Sequence, residues 1–310
     1  MRILVFGKDG MVGSALGRGL TKEKAIETFL VGRSDCDLSI FDEVFSTIHT
    51  IKPDVVICAA ARVGGILANQ SYPAEFITDN LIIQTNVTRA CHLNGVGKMI
   101  FLGSSCIYPS NIDGLIREEQ ILTGPLEETN IAYAMAKLSG VVACRSYNAQ
   151  YGTSFVTVMP CNLYGPNDNF DLETSHVFPA LVRKFAEAIV NRADMLEVWG
   201  TGIARREFLH VDDLASACIL ICKRFSELKY DLFNVGYGSD VPISWLVERL
   251  VEISGFKGKI CFDKTKPDGV RRKLMDISRI QELGWSHAIS LEDGLENSYH
   301  TYLNFLREKF

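Results

Sequence analysis

Ile3-Leu4-Val5-Phe6-Gly7-Lys8-Asp9-Gly10-Met11-Val12-Gly13 is the stretch on which the fold turns. Four apolar residues of strand length run into glycines at positions 7, 10 and 13, and an amphipathic segment over 11–20 overlaps the last of them. Glycines in that place let a chain turn tightly after a strand, let its backbone approach a pyrophosphate, and let strand and helix pack closely. The free N–H groups at the helix start then face the phosphates. A glycine-rich turn with no ligand is the plainer alternative, and the rest of the chain has to choose between the two.

Outward from this unit the same punctuation repeats. Short apolar runs at 28–31, 55–58, 99–102 and 155–159 alternate with longer helical stretches, among them 72–93 and 133–151. Such alternation writes a parallel sheet joined by crossover helices. The expected class is α/β, a Rossmann-type doubly wound parallel sheet. After about Pro160 the texture shifts to loops rich in Asn, Gly and Pro, a helix over 177–192 and shorter mixed elements. The expected division is a cofactor-binding domain over 1–160, with returning segments near 207–235, and a smaller α/β substrate-binding domain over 161–310. No internal repeat or low-complexity tract interrupts it.

Composition narrows the function classes. Of 310 residues, 47% are hydrophobic, enough for a sizeable core. With 32 basic and 37 acidic residues the net charge is -5, which offers no whole-molecule attraction to nucleic acid or to an anionic membrane. The longest apolar stretch, around 55–61, falls far short of the roughly 20 residues that span a bilayer. The chain passes directly from Met1-Arg2 into the first apolar run, with no room for a signal sequence, so the expected location is the cytoplasm. Nine scattered cysteines, without a CxxC pair or a histidine at ligand spacing, argue for reduced thiols and no metal site.

About twenty residues beyond the glycines, the second apolar run ends in Val31-Gly32-Arg33-Ser34, where sites for NAD commonly place an acid against the ribose hydroxyls. Arg33 instead offers a partner for a 2′-phosphate, with no carboxylate at the tip to repel it, so NADP(H) is the expected cofactor. Asp35 and Asp37 lie just beyond, and a solvated loop role for Arg33 stays open.

Tyr133 and Lys137 stand four residues apart, on one face of a helix. A phenol of pKa near ~10 is a poor acid–base group at neutral pH. A lysine one turn away is expected to stabilise the phenolate and lower that value. Chance produces this spacing easily. It gains weight from Ser104, in Leu102-Gly103-Ser104-Ser105-Cys106-Ile107-Tyr108-Pro109 at the end of a buried run. Ligands of open α/β sheets bind at such carboxyl ends, where a serine hydroxyl can hold a carbonyl oxygen while the tyrosine protonates it.

Further motifs extend the set: Ala60-Ala61-Arg62-Val63-Gly64-Gly65-Ile66, Pro160-Cys161-Asn162-Leu163-Tyr164-Gly165-Pro166, Asp168-Asn169-Phe170, Ser175-His176-Val177, Arg206-Glu207-Phe208-Leu209-His210-Val211-Asp212-Asp213 and Lys266-Pro267-Asp268-Gly269. With these the chain resembles the extended short-chain dehydrogenase/reductases, and within them the GDP-L-fucose synthase family, over nearly its whole length. The resemblance implies inversion of C3 and C5 of GDP-4-keto-6-deoxy-D-mannose and NADPH-dependent reduction of C4 at the same site, giving GDP-L-fucose. It adds Cys106 and His176 to Ser104, Tyr133 and Lys137 as catalytic residues. A thiolate and an imidazole suit the task, because the 4-keto group acidifies both neighbouring carbons and each group can titrate near neutrality. Without the resemblance, Cys106 reads as a packing residue and His176 as a local cap.

The resemblance also assigns the cofactor to Gly7 through Gly13, Arg33, Leu102, Gly103, Ser104, Ser105, Lys137, Pro160, Cys161, Asn162, Leu163 and His176. A nucleoside diphosphate needs cations, which Arg183-Lys184 and Arg205-Arg206 supply. The family pattern selects Lys184, Trp199, Arg206 and Asp268 for the substrate. Family members commonly carry arginine at the position of Lys184; lysine keeps the charge and loses the planar fork. The basic tract Val270-Arg271-Arg272-Lys273 has no assignment. A homodimer through the helices over 80–93 and 133–151 is implied by resemblance. GDP-L-colitose formation, another nucleotide-sugar reaction on the same fold, and a non-catalytic dinucleotide sensor remain as alternatives.

Overall fold

The computed structural model describes residues 1–266 and 268–309. The chain begins with β1 (Arg2–Phe6), α1 (Met11–Leu20), β2 (Glu27–Val31), α2 (Phe41–Ile51), β3 (Val55–Cys58), α3 (Ile66–Ser71) and α4 (Pro73–Leu93). It continues through β4 (Lys98–Leu102), α5 (Ile131–Tyr151), β5 (Ser154–Pro160), β6 (Asn162–Tyr164), α6 (Val177–Val190), β7 (Met195–Trp199), β8 (Arg205–Arg206) and β9 (Phe208–His210). The remainder is α7 (Val211–Lys223), β10 (Leu232–Val235), β11 (Val241–Pro242), α8 (Ile243–Ser254), β12 (Lys259–Asp263), β13 (Arg272–Lys273), α9 (Ser278–Glu282) and α10 (Leu291–Lys309).

Six strands form one parallel sheet in the order β10-β5-β4-β3-β1-β2. Side chains alternate across a strand, and in β1 they do so between two cores. Ile3 and Val5 pack in the cluster that holds Leu16, Val158 and Leu214, whereas Leu4 and Phe6 pack with Val44, Ile48 and Phe155. Burial on both faces explains why these strands read as continuous apolar runs. The doubly wound sheet expected from the sequence is therefore present.

Two element boundaries differ from expectation. The stretch at 72–93 is a helix from Pro73, preceded by the separate short helix α3. Proline lacks an N–H and fits the first helical position, so it starts a new helix here. The helix expected over 177–192 ends at Val190, and Arg192 takes a positive φ of 50°.

A third core collects Phe178, Val182, Phe185, Val198, Phe208, Leu250 and Tyr299 from α6, β7, β9, α8 and α10. Small sheets flank it: β7 with β12, and β8 between β11 and β13. Asn234, fully buried in β10, stitches this return to the rest of the fold. Its side-chain amide donates to the carbonyls of Ile116 (3.0 Å) and Asp276 (3.1 Å), and its side-chain oxygen accepts from the Tyr108 hydroxyl at 2.6 Å. Glu207 is likewise buried, accepting the N–H groups of Gly238 (2.7 Å) and Met275 (3.1 Å) on its two oxygens.

Candidate active site

The loop from Gly7 to Gly10 leaves β1 at the carboxyl edge of the sheet and is tied to β2, since Val31 O accepts from Gly7 N (2.9 Å) and Lys8 N (3.2 Å). Gly7 takes φ 95°, and a Cβ on Gly13 would overlap the Gly7 carbonyl and stand 3.0 Å from Lys8 Cα. No side chain caps the start of α1. A backbone this close-packed, with an uncapped helix start, is what a pyrophosphate requires, so Gly7 to Gly13 fit a dinucleotide.

At the tip of β2, Arg33 is exposed. The expectation of a tip without carboxylates needs correction. Asp35 folds back to accept the Gly32 N–H at 2.9 Å and to pair with Lys8, and Asp9 lies against Gly32, where a Cβ would overlap its carboxylate.

The carboxyl end of β4 brings the next group together. Ser104 starts a short turn and its Oγ accepts weakly from Cys106 N at 3.4 Å. Lys137, buried on α5, donates from Nζ to Leu102 O at 2.7 Å and stands 5.8 Å from the Tyr133 ring centre. Tyr133 meets Phe76 edge-on with ring centres 6.2 Å apart. The expected lowering of its pKa is not found. Burial pushes the phenol up, with the Cys106 side chain adding to the effect and Ser104 opposing it, while burial lowers Lys137. A phenol held above its ordinary value favours the protonated form, the state of a proton donor.

Cys106 is 5% exposed. Burial pushes its thiol up, and Ser104, Lys273 and Lys137 pull the other way. Gly103 and Ser105 adjoin it at the strand end, while Pro160 closes β5 next door. Cys161 N donates to Val235 O (3.1 Å), and Asn162 and Leu163 open β6, with the Asn162 amide donating to Glu207 O at 3.1 Å.

His176 sits just before α6 with its side chain partly open to solvent, and desolvation by its surroundings lowers its pKa. It reaches the group indirectly. Gly65 N donates to Thr174 O at 2.7 Å, and the neighbouring Gly64 lies where a Cβ would be 3.1 Å from Phe76, the ring that meets Tyr133. Asp171 fixes the approach to His176 by accepting the N–H groups of Glu173 and Thr174 and the Thr174 hydroxyl.

On α6, Lys184 donates to Glu197 O at 3.0 Å, and its ammonium stands 5.4 Å from the Trp199 ring. Lys266 stands 5.3 Å from the same ring. Trp199 is 44% exposed, so its ring is not a core filler. Arg206 holds the Asp268 carbonyl at 3.2 Å, and the Asp268 carboxylate accepts the Thr201 N–H and hydroxyl, both at 2.7 Å. Pro267, in the Lys266-Pro267-Asp268-Gly269 motif, lies outside the described residues. Among the described residues no group of three or more His, Cys, Asp or Glu side chains is arranged to hold a metal, and no helix is long and apolar enough to cross a membrane.

This geometry coincides with a family pattern. The model of the NAD dependent epimerase/dehydratase family matches residues 3–236. The chain belongs to that family. GDP-L-fucose synthase 1 of Arabidopsis thaliana is 49% identical to this family member over 302 residues, covering 97% of this chain and 93% of the relative. GDP-L-colitose synthase of Yersinia pseudotuberculosis is 37% identical, covering 98% of each chain. Among solved structures, a GDP-L-fucose synthetase of Naegleria fowleri bound to NADP superposes with a TM-score of 0.87 at 27% identity, covering 99% of this chain and 95% of that one.

One residue of this family member escaped the sequence reading. Lys273, in the unassigned basic tract, is carried on β13 beside Arg206 on β8. Burial lowers its pKa, and the Cys106 thiol is among the groups that act on its charge. Nothing local to 270–273 marks it; only the pairing of β13 with β8 turns it inward.

Proposed function

We propose that this enzyme is a GDP-L-fucose synthase, which epimerises C3 and C5 of GDP-4-keto-6-deoxy-D-mannose and then reduces C4 with NADPH. The observation that carries the reading is Cys106, a buried thiol whose backbone N–H donates to the Ser104 hydroxyl two residues away. It supports a site in which a base for C–H deprotonation and a group that holds the carbonyl oxygen lie at one strand end. The relatives support the fucose substrate over its 3-deoxy counterpart, at 49% against 37% identity.

Gly7 to Gly13, Lys8 and Arg33 would hold the dinucleotide at its phosphates. Leu102 to Ser105, Lys137, Pro160 to Leu163 and His176 would hold it toward the nicotinamide. When bound, NADPH supplies the hydride that reduces C4. Ser104 and Tyr133 hold the C4 oxygen, and the protonated phenol gives its proton to that oxygen as it becomes an alkoxide. During epimerisation the same two donors stabilise the enolate oxygen. Cys106 and His176 exchange protons at C3 and C5, one removing a proton while the other returns one to the opposite face. Lys273 supports a thiolate at Cys106 by its charge. Lys184, Trp199, Arg206 and Asp268 shape the nucleotide end, where two cations and an aromatic face suit a guanosine diphosphate.

The division into a dinucleotide unit over 1–160 with returning segments near 207–235, and a substrate unit over 161–310, belongs to the same reading. So do membership of the extended short-chain dehydrogenase/reductases, a cytoplasmic location and a homodimer. For the dimer, the support is that α4 and α5 leave Ile82, Leu93, Met135, Val142 and Tyr151 exposed.

The test is incubation with NADPH and GDP-4-keto-6-deoxy-D-mannose in deuterated water, with the product read by NMR. Expected is GDP-L-fucose carrying deuterium at C3 and C5. Cys106→Ser should lose that label while still reducing a pre-epimerised substrate. Turnover only of the 3-deoxy sugar, or unchanged labelling in the serine variant, overturns the proposal.

A further inference from the structure

The adenosine end of the dinucleotide site carries an unusual charge balance. Two cations reach it, Lys8 from the glycine loop and the exposed Arg33 from the tip of β2. Two carboxylates reach it as well. Asp35 pairs with Lys8 and caps the Gly32 N–H, and Asp9 lies against the buried Gly32 between the two loops. Asp37 and Glu43, a little farther on, are occupied locally: Asp37 accepts from Ser39, and Glu43 accepts the Asp37 N–H.

A monoester phosphate on the ribose carries about 1.5 to 2 negative charges at neutral pH. At this tip it meets a lysine already engaged by Asp35, and it meets Asp9 as a like charge. A 2′-hydroxyl is uncharged and gains from a carboxylate acceptor, the arrangement by which sites for NAD hold the ribose. We infer that Asp9 and Asp35 set the dinucleotide choice of this chain, holding its preference for the 2′-phosphorylated cofactor to a small factor so that it works with NADH as well as NADPH. The inference rests on the reading of Gly7 to Gly13 as the dinucleotide loop. It makes Lys8, released or held by Asp35, the residue that sets the preference, with Arg33 as its outer partner.

The experiment measures binding as well as turnover. Calorimetric titration of the purified protein with NADP, NAD, 2′,5′-ADP and 5′-ADP gives each affinity, and kcat/KM is measured with NADPH and NADH. For the wild type, the preference for the phosphorylated form is expected below about twenty-fold. Asp35→Asn keeps an oxygen for the Gly32 N–H and frees Lys8. It should raise the NADP-over-NAD ratio about five- to ten-fold, the effect of one unit charge on a nearby dianion in water-like surroundings. Asp9→Asn should act in the same direction, and Lys8→Met added to Asp35→Asn should cancel the gain. A wild-type preference above a hundred-fold, or Asp35→Asn and Asp9→Asn ratios equal to the wild type, overturns the inference. Absence of binding by all four nucleotides instead overturns the reading of the glycine loop.

Discussion

Replacing Gly65 by alanine tests whether the loop after β3 places His176. Gly65 has φ -67° and ψ -178°, which alanine adopts freely, so the substitution acts by volume alone. The new methyl would stand 2.6 Å from Ser175 O and 3.2 Å from Thr174 O, both backbone atoms one or two residues from His176. The facing loop has to retreat by about half an ångström or more to relieve that contact, and overpacking of this kind costs about 1–3 kcal/mol. A misplacement of ~1 Å can slow catalysis about a hundred-fold, so half of that predicts roughly a ten-fold loss in the steps that use His176. Ser104 follows β4 and Tyr133 and Lys137 stand on α5, whereas the atoms nearest the new methyl all belong to Thr174 and Ser175. The assay is therefore a ratio: deuterium uptake at C3 and C5 against NADPH oxidation on a pre-epimerised substrate, with thermal melting to confirm the fold. Uptake should fall about ten-fold and reduction less than about three-fold. Equal losses in both, or uptake within two-fold of wild type, refutes the idea that this loop registers His176.

Three more predictions concern single side chains. Lys273→Met removes a cation that pulls the Cys106 pKa down, so the pH profile for iodoacetamide labelling of Cys106, followed by mass spectrometry, should move to higher pH; an unmoved profile separates the two residues. Burial pushes Asp168 up to about 7 from 3.8, so the folded state binds its proton more tightly than the unfolded chain does. Its stabilising contribution is complete below about pH 3.8 and is lost as pH rises through 7. Asp168→Asn keeps an acceptor for the Asn169 N–H, and its urea midpoint should gain on the wild type between pH 4 and 8; parallel curves would contradict this. Burial raises Glu207 to about 7, so above that pH Glu207→Gln turns one accepting oxygen into a donor facing a backbone N–H and should destabilise by about 2–3 kcal/mol, read from urea unfolding; a change under about 0.5 kcal/mol removes Glu207 from its tying role.

What the chain discloses about itself is mostly local. The runs at 3–6, 55–58 and 99–102 are legible because both faces are buried, and the loop from Gly7 to Gly13 because its spacing is dictated by strand-to-helix geometry. Tyr133 and Lys137 are legible as a pair, but the burial of Lys137 and the desolvation of the phenol were not, and the latter opposes the expected shift. Lys273 becomes a site residue through the pairing of β13 with β8. Asp35 meets Lys8 only once β2 lies beside β1. Both are long-range consequences of the fold, and no window of sequence contains them. Pro73 is a smaller case: the helix expected over 72–93 starts at it, as its missing N–H allows, whereas the short helix before it was not expected.

The position of β10 also has a consequence in time. The other five strands of its sheet are complete once Pro160 has been made, yet β10, with Asn234 at its centre, follows only after roughly seventy more residues. At ~5–20 residues per second of synthesis, the free edge of β5 waits about 4–14 s for its neighbour. During that interval Phe155 to Met159 is an apolar strand with unpaired backbone groups, the kind of edge to which other chains add. The nascent protein is thus most vulnerable to aggregation while its smaller layer is being built, and a chaperone that shields β5 during this interval would raise the yield more than one acting on the finished chain.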